Sequence, residues 1–494
     1  MEAKIILNDE VTVQVAGLDL ASRKKLHEMF KFEIPGARYT PSVRLGRWDG
    51  KKSFFGLGGL TYQALLPEVL TKLDEMHYDI ELVDNRKTHA TFNFPDIKED
   101  TFADRKWPKG HPAEGKPVMF RDYQVEILNN YVNNLQSIQE VATGAGKTIM
   151  TAALSKLIEP YGRSVIVVPN KSLVTQTEDD YKNLGLDVGV YFGDRKEYGK
   201  THTICTWQSL NYLMKASAEK ELEFTIGDFV EDVVCVIIDE AHMAKADVLT
   251  QMLTGIFANV PIRWGLTGTI PQDKIGELSL YCSIGNVVGK LSAKELQDAG
   301  HLANCHVNIV QMIDSVEFKE YQAELKYLTE NTGRINYVAR LAEKVSKTGN
   351  TLILVDRIAT GKLLQVELST QMSLLGEKPD VTFVSGAMKG KTRKEEYDSI
   401  ASSESKITIA TYGVAAVGIN VPRIFNLVLF EPGKSFVRVI QSIGRGLRKA
   451  QDKDAVNIWD ITSTAKFSKR HLTARKKFYT EASYPYTIEK AKWQ

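Results

Sequence analysis

The sequence predicts an α/β protein: two tandem parallel-sheet domains preceded by a small α+β domain. Three observations carry this. Apolar runs of strand length, residues 164–168, 233–238, 351–355 and 407–410, alternate with stretches of helical periodicity, as buried parallel strands do. A glycine-bearing loop, 142–148, separates a strand-like run (137–141) from the opening of a helix (149–154). Near Leu291 the alternation restarts. The expected division is 1–112, a small α+β domain; 113–290, a first α/β domain; 291–465, a second; and 466–494, a basic C-terminal extension.

The totals bound the class. A chain of 494 residues holds about three domains. With 63 basic and 61 acidic residues the net charge is +2, so polyanion binding has to be argued from local patches. The four cysteines, Cys205, Cys235, Cys282 and Cys305, never form a Cys-x-x-Cys pair, which argues against a zinc ribbon or disulfide framework and fits a reducing compartment. No signal peptide opens the chain, and no apolar run approaches the roughly 20 residues of a membrane span. A cytoplasmic location without membrane contact is expected. The sequence leaves protein partners unknown and is compatible with a monomer.

In the front domain, residues 4–7 and 11–15 are β-prone runs joined by Asn8-Asp9-Glu10, a hairpin signal. Leu26, Met29 and Phe30 imply a helix from about Leu20. Leu66, Val69, Leu70, Leu73 and Met76 imply a second, before a strand at 78–83. The Asp49-Gly50 pair marks a turn between extended segments. Around it, Arg38, Tyr39, Arg44, Arg47, Trp48, Lys51 and Lys52 interleave cations and rings. Such a surface can grip phosphates while a ring meets exposed bases; the competing reading is a hairpin with rings packed inward and charges solvated. Residues 104–117, with Pro108, Gly110, Pro112, Gly115 and Pro117, read as a linker.

The loop Ala142-Thr143-Gly144-Ala145-Gly146-Lys147-Thr148 has the composition of a phosphate cradle. Its glycines let several backbone N–H groups face one anion, and the following helix N-terminus adds partial positive charge. Lys147 suits the outer phosphates, and the Thr148 hydroxyl suits Mg²⁺. The strict pattern wants Gly at position 141, where this chain has Val. An ordinary turn is the alternative. About twenty residues upstream, Phe120-Arg121-Asp122-Tyr123-Gln124 opens a helix. The Gln124 amide has the donor and acceptor an adenine edge needs, and Arg121 can stack on its face.

The most apolar strand of the first half, 233–238, ends in Asp239-Glu240-Ala241-His242. Ligands of parallel sheets bind beyond the carboxyl ends of strands. One carboxylate there can hold Mg²⁺ and the other polarise an attacking water; the alternative is the general preference for acids at a helix start. Thr267-Gly268-Thr269 offers hydroxyls to those carboxylates, or is plain turn chemistry. Residues 316–348 read as one long charged helical connection. In the second half no phosphate loop recurs, but Gln441-Ser442-Ile443-Gly444-Arg445-Gly446-Leu447-Arg448 sets two guanidinium groups on one helix face, suited to a triphosphate. The tail, 466–494, mixes Lys and Arg with Phe467, Phe478 and Tyr479 and is either a nucleic-acid contact or a solvated terminal helix.

These stretches resemble the motif series of superfamily 2 helicases, in family order across residues 120–450. Residues 120–124 resemble the adenine-reading motif, 142–148 motif I, 168–176 motif Ia, 206–209 motif Ic, 239–242 motif II (a DEAH box), 266–269 motif III, 411–420 motif V and 441–448 motif VI. Motif III departs, with Gly268 where many relatives have Ala. The front domain's Arg44-Leu45-Gly46-Arg47-Trp48-Asp49-Gly50, the Val384-Ser385-Gly386 element and the basic tail are further similar to the phage UvsW-type helicases.

The resemblance implies two RecA-like domains, ATP and Mg²⁺ as cofactors, and ATP hydrolysis coupled to unwinding of forked, branched, duplex or single-stranded DNA. It implies fork regression and Holliday-junction branch migration in replication, recombination and repair. Residue by residue, Glu240, Gln441, Arg445 and Arg448 are expected to be catalytic. Arg121, Gln124, Thr143, Gly144, Ala145, Gly146, Lys147, Thr148 and His242 are expected to bind ATP, with Thr148 and Asp239 on the metal. Pro169, Thr206, Lys389, Thr411, Arg47 and Trp48 are expected to touch DNA. Two other functions share these residues: an RNA helicase on the same core, and an ATP-gated clamp that binds nucleic acid without moving.

Overall fold

The computed structural model describes residues 1–494 apart from 88–90, 108–112, 220–221, 243–246, 272, 387, 389–391, 393–394, 397–398, 401, 415–422, 434–452 and 494. The chain divides into two compact units, Met1–Val141 with Gly146–Lys290, and Ala142–Ala145 with Leu291–Gln494. Among the described residues no helix is long and apolar enough to cross a membrane.

The first unit opens with β1 (Glu2–Leu7), β2 (Thr12–Ala16), β3 (Lys31–Glu33), β4 (Lys51–Ser53), β5 (Leu60–Tyr62) and β6 (Asp79–Asp84). Four of them form a sheet of order β5-β2-β1-β6, and β3 pairs with β4. The hairpin β1–β2 sets Lys4 opposite Ala16, and Asp9 closes it by accepting from the backbone N–H groups of Val11 and Thr12. Period-two alternation buries Ala3, Ile5, Leu7, Val13 and Val15 on one face. The helices Leu20–Met29 and Leu66–Glu75 lie where the apolar spacing predicts them. The turn at Asp49 is different: the segment before it is the short helix Pro41–Arg44, started by a proline in its first turn, and not a strand.

This front layer is not a free-standing domain. Leu278 and Cys282, from the helix Lys274–Ser283, complete its core, so residues 1–112 share one compact unit with the sheet that follows. Nor is 104–117 simply a linker. Lys106 and Pro117 form an antiparallel bridge, and the N–H of Trp107 donates to the carbonyl of Lys116 at 3.0 Å.

The larger sheet comprises β7 (Gln136–Val141), β8 (Arg163–Val168), β9 (Val188–Phe192), β10 (Arg195–Lys196), β11 (His202–Thr206), β12 (Val233–Asp239), β13 (Ile262–Thr267) and β14 (Asn286–Leu291). Their order is β10-β9-β11-β8-β12-β13-β7-β14. Strands β7, β8, β9, β11, β12 and β13 pair in parallel, so Val141, Val168, Thr206, Asp239 and Thr267 all end at one edge. Beneath it lies a core that includes Ile138, Val165, Val167, Val236 and Ile238. Arg263, 1 % exposed on β13, is wrapped by main-chain carbonyls of Leu253, Phe257 and Ser283.

In the second unit β15 (Asn304–Met312), β16 (Thr351–Val355), β17 (Val381–Val384), β18 (Ile407–Thr411), β19 (Asn426–Phe430), β20 (Ala455–Ser463) and β21 (Tyr486–Ala491) form a parallel sheet, order β17-β18-β16-β19-β20-β15-β21. The expected single connection over 316–348 is two helices, Tyr321–Glu330 and Thr332–Ser346. They are split at Asn331, whose side chain caps the second by accepting from Arg334 N. Ile335, Val338, Ala339 and Ala342 bury one stripe of that helix against the sheet.

Residues 466–494 are not an appendage. Strand β21 pairs with β15 along its length, and the helix Lys466–Glu481 buries Leu472, Arg475, Phe478 and Tyr479. Arg475 is fully buried and forks onto both oxygens of Asp460 at 2.9 Å, with Tyr479 donating to the same carboxylate. A cation that reads as surface charge in the sequence is here an interior ion pair.

Candidate active site

The site grows from the carboxyl edge of β7, β13 and β12, which are neighbours in the sheet. β7 ends at Val141, where the strict phosphate-loop pattern wants glycine. The side chain is fully buried as the last residue of the strand, so the substitution falls before the turn begins. The turn itself needs its glycines: Gly144 (φ 94°) and Gly146 (φ 86°) are left-handed. A Cβ on Gly146 would lie 2.7 Å from Nε2 of Gln124. The helix Lys147–Ile158 starts immediately after it, with its N-terminus at the loop.

Gln124 is buried, and its Oε1 accepts from the backbone N–H of Arg121 at 3.0 Å, closing a capping box at the start of the helix Asp122–Val132. The Arg121 guanidinium donates to the Tyr123 hydroxyl at 3.0 Å. The start of this helix is thus braced against the glycine loop at Gly146.

Lys147 and the acidic stretch meet. Nζ of Lys147 donates to Oε1 of Glu240 at 3.1 Å, both side chains largely buried. The other carboxylate oxygen, Oε2, is 3.4 Å from Nδ1 of His242. Glu240 has a left-handed backbone (φ 54°), unusual for a side chain of its size, and its N–H is held by Oδ1 of Asp239 at 2.9 Å. His242 Nδ1 also lies 3.0 Å from Oγ1 of Thr267. That hydroxyl donates to the carbonyl of Thr269 at 2.8 Å, so it accepts from His242, which puts the ring proton on Nδ1. Thr267 therefore serves the histidine, not a carboxylate as its position in the sequence suggests. The residues present fit a nucleotide with Mg²⁺: a left-handed glycine cradle, a lysine, and oxygen donors on Thr148 and Asp239.

The same sheet edge has a second flank. Strands β8 and β11 are neighbours, with Thr206 in register with Val168, so Pro169 and Thr206 leave the sheet side by side. The Thr206 hydroxyl is buried and bonded to Ser209 Oγ at 3.0 Å, where it caps the helix Trp207–Glu219, so that side chain is structural. Thr411 ends β18 in the second unit. In the front layer Arg47 is exposed and Trp48 is 38 % exposed, its indole N–H on the Lys51 carbonyl; Tyr39 is also exposed, with the Arg38 guanidinium 4.9 Å from its ring centroid. Two of these rings stay at the surface and do not enter the core. Gln441, Arg445, Arg448 and Lys389 lie outside the described residues.

One ionic cluster in the second unit carried no sequence signal. Arg334, fully buried, binds Asp314 and Glu431, and Glu431 accepts from Ser468 at 2.8 Å. These partners lie far apart in the chain.

Comparison with known proteins agrees with this geometry. Residues 117–272 match the family described as Type III restriction enzyme, res subunit, and residues 333–450 match the helicase conserved C-terminal domain. The chain is 26 % identical over 503 residues to the ATP-dependent DNA helicase uvsW of Enterobacteria phage T4, covering 97 % of this chain and 94 % of that protein. Putative helicase 22 of Sulfolobus islandicus filamentous virus is 24 % identical over 458 residues, 87 % of this chain and 74 % of that one. A fragment structure of a putative HsdR subunit of a type I restriction enzyme from Vibrio vulnificus YJ016 shares the fold, with TM-score 0.58 and 20 % identity over 76 % of this chain and 69 % of that chain. The chain is a superfamily 2 helicase, an ATP-dependent DNA helicase built on two RecA-like domains. Within that class it is related to the UvsW helicase of bacteriophage T4.

Proposed function

We propose that this helicase remodels branched DNA, regressing forks and migrating Holliday junctions in replication, recombination and repair in the cytoplasm. The observation that carries the motor reading is Glu240 held between Lys147 at 3.1 Å and His242 at 3.4 Å. The branched-DNA reading is supported by the relative from phage T4, whose similarity extends across the front layer with its exposed Arg47 and Trp48.

In this reading Thr143, Gly144, Ala145 and Gly146 present backbone N–H groups to the phosphates, and Lys147 neutralises their outer charge. Thr148 and Asp239 would hold Mg²⁺, which would supply charge neutralisation for the transferring phosphoryl group. Arg121 and Gln124 face the base. A triphosphate competes with Glu240 for Lys147 and frees the carboxylate to orient and deprotonate water. His242, its Nδ1 proton given to Thr267, lies 3.4 Å from the other carboxylate oxygen and is itself tied to the end of β13. Arg445 and Arg448 would supply positive charge to the transferring phosphoryl group, as arginine fingers do, and Gln441 would sense the terminal phosphate through its neutral amide. Pro169, Thr206, Lys389 and Thr411 are the proposed contacts to a strand's phosphates, Thr206 through its main chain since its hydroxyl is engaged. Residues 1–112 would bind the branch, and 113–290 and 291–465 would be the two motor domains.

The test is an ATPase panel on single-stranded, duplex, forked and four-way DNA, with Arg445→Ala alongside. Stimulation greatest on forked and four-way DNA is expected, with a loss of roughly 10³-fold or more in the variant. Equal stimulation by all four DNAs would sink the branched-DNA reading, and near-normal turnover in the variant would remove the arginine from the chemistry.

A further inference from the structure

We infer that the exposed face of the helix Lys466–Glu481 is a second DNA-binding surface, one that grips backbone phosphates. The inference rests on the DNA-helicase reading and adds a contact that no motif of the series supplies.

Ser468, Leu472, Arg475 and Tyr479 turn one face of this helix into the second unit. Lys466, Lys469, Arg470, Thr473 and Lys477 fall on the other, at i, i+3, i+4, i+7 and i+11, and all are exposed. At several other helices cations are neutralised locally: Lys72 with Glu75, Lys274 with Glu277, Lys294 with Asp298, and the C-cap Lys347 with Glu343. Here the helix has a single carboxylate, Glu481, its last residue, which Lys477 meets at 3.6 Å. Among the described residues no carboxylate is within ion-pair reach of Lys466, Lys469 or Arg470.

The placement is also electrostatically costly. A helix favours cations at its C-terminus and anions at its N-terminus. Lys466, Lys469 and Arg470 crowd the N-terminal end, and like charges three and four apart repel. The fold offsets this from inside. The buried carboxylate of Glu324 accepts from the N–H groups of Phe467 at 2.9 Å and Ser468 at 2.8 Å, so the helix end is satisfied without any external anion. The cations themselves are left for a polyanion. Lys466 to Lys477 spans about 16 Å at the α-helical rise, long enough to meet several phosphates of one strand.

The experiment is a salt titration of binding by the full chain, without nucleotide, to a fluorescently labelled forked duplex, between about 50 and 200 mM salt. Each lost phosphate contact lowers the slope of log affinity on log salt by about 0.9. For K466Q/K469Q/R470Q/K477Q a fall of about 2 to 4 is expected, with DNA-independent ATPase and melting temperature as in the wild type. Should the quadruple variant not fold, K469Q and K477Q singly carry the same test, about 0.9 each. A control removing paired cations, K72Q/K274Q/K294Q, should leave the slope unchanged. Folded variants with the wild-type slope would overturn this inference alone. A wild-type chain that binds no DNA would overturn the helicase reading along with it.

Discussion

Lys147 and Glu240 lie 93 residues apart in the chain, and their charged atoms are 3.1 Å apart. The pair joins the phosphate loop after β7 to the acidic stretch after β12, across the intervening strand β13. Each group is mostly withdrawn from water, so each depends on the other for charge compensation. A triphosphate brings more negative charge to the lysine than one carboxylate does. Substrate binding and release of the proposed base are then one event.

Replacing Glu240 by glutamine keeps the side chain's size and its ability to accept from Lys147, but removes the proton acceptor. Turnover should fall roughly 10²–10⁴-fold, the usual share of a positioned base, with affinity for an ATP analogue little changed. Steady-state ATPase with saturating DNA, paired with analogue binding, makes the measurement. Turnover within a few-fold of wild type would take Glu240 out of the chemistry.

Arg263 holds the first unit together without a carboxylate directly paired to it. Its guanidinium donates to Leu253, Phe257 and Ser283 carbonyls, and burial lowers its pKa to about 10. Arg263→Ala strands those acceptors, each at about 1–3 kcal/mol when buried and unpaired. Urea denaturation should show a loss of about 3 kcal/mol or more. A loss below about 1 kcal/mol would mean that water or neighbouring groups replace the donors.

Glu431 gives the second unit a pH dependence. Burial pushes its carboxyl up from the ordinary 4.5 to about 7, with Arg334 and Ser468 holding part of the rise back. The folded state then keeps a proton that the unfolded chain has released. The stability from this group is complete below about pH 4.5 and is lost as pH rises through about 7. Across that window the urea midpoint of the wild type should fall relative to that of Glu431→Gln, and the difference should level off at higher pH. Parallel curves would show that Glu431 does not titrate there.

Much of the architecture was legible in the amino-acid order because its signals are local. Parallel strands covered on both faces must be apolar throughout, so β8, β12, β16 and β18 stood out as short apolar runs. A phosphate loop needs its glycines, lysine and threonine within a few residues of one another, and so does the acidic stretch at a strand end. Those segments carry their chemistry in their spacing, and the left-handed Gly144 and Gly146 are its backbone expression.

Tertiary structure decided which distant groups meet. Strand order set Glu240 against Lys147 and gave the Thr267 hydroxyl to His242, when spacing alone pointed it toward the carboxylates. The front layer's dependence on Leu278 and Cys282, and the tail's place in the second sheet, were equally hidden. Arg475 shows why. A charged residue in a sequence is read as surface because burying it alone is prohibitive; only the fold reveals that Asp460 waits 2.9 Å away to compensate it. Local spacing fixes backbone conformation, whereas the cost of desolvating a charge is settled by whichever partner the whole chain brings to it.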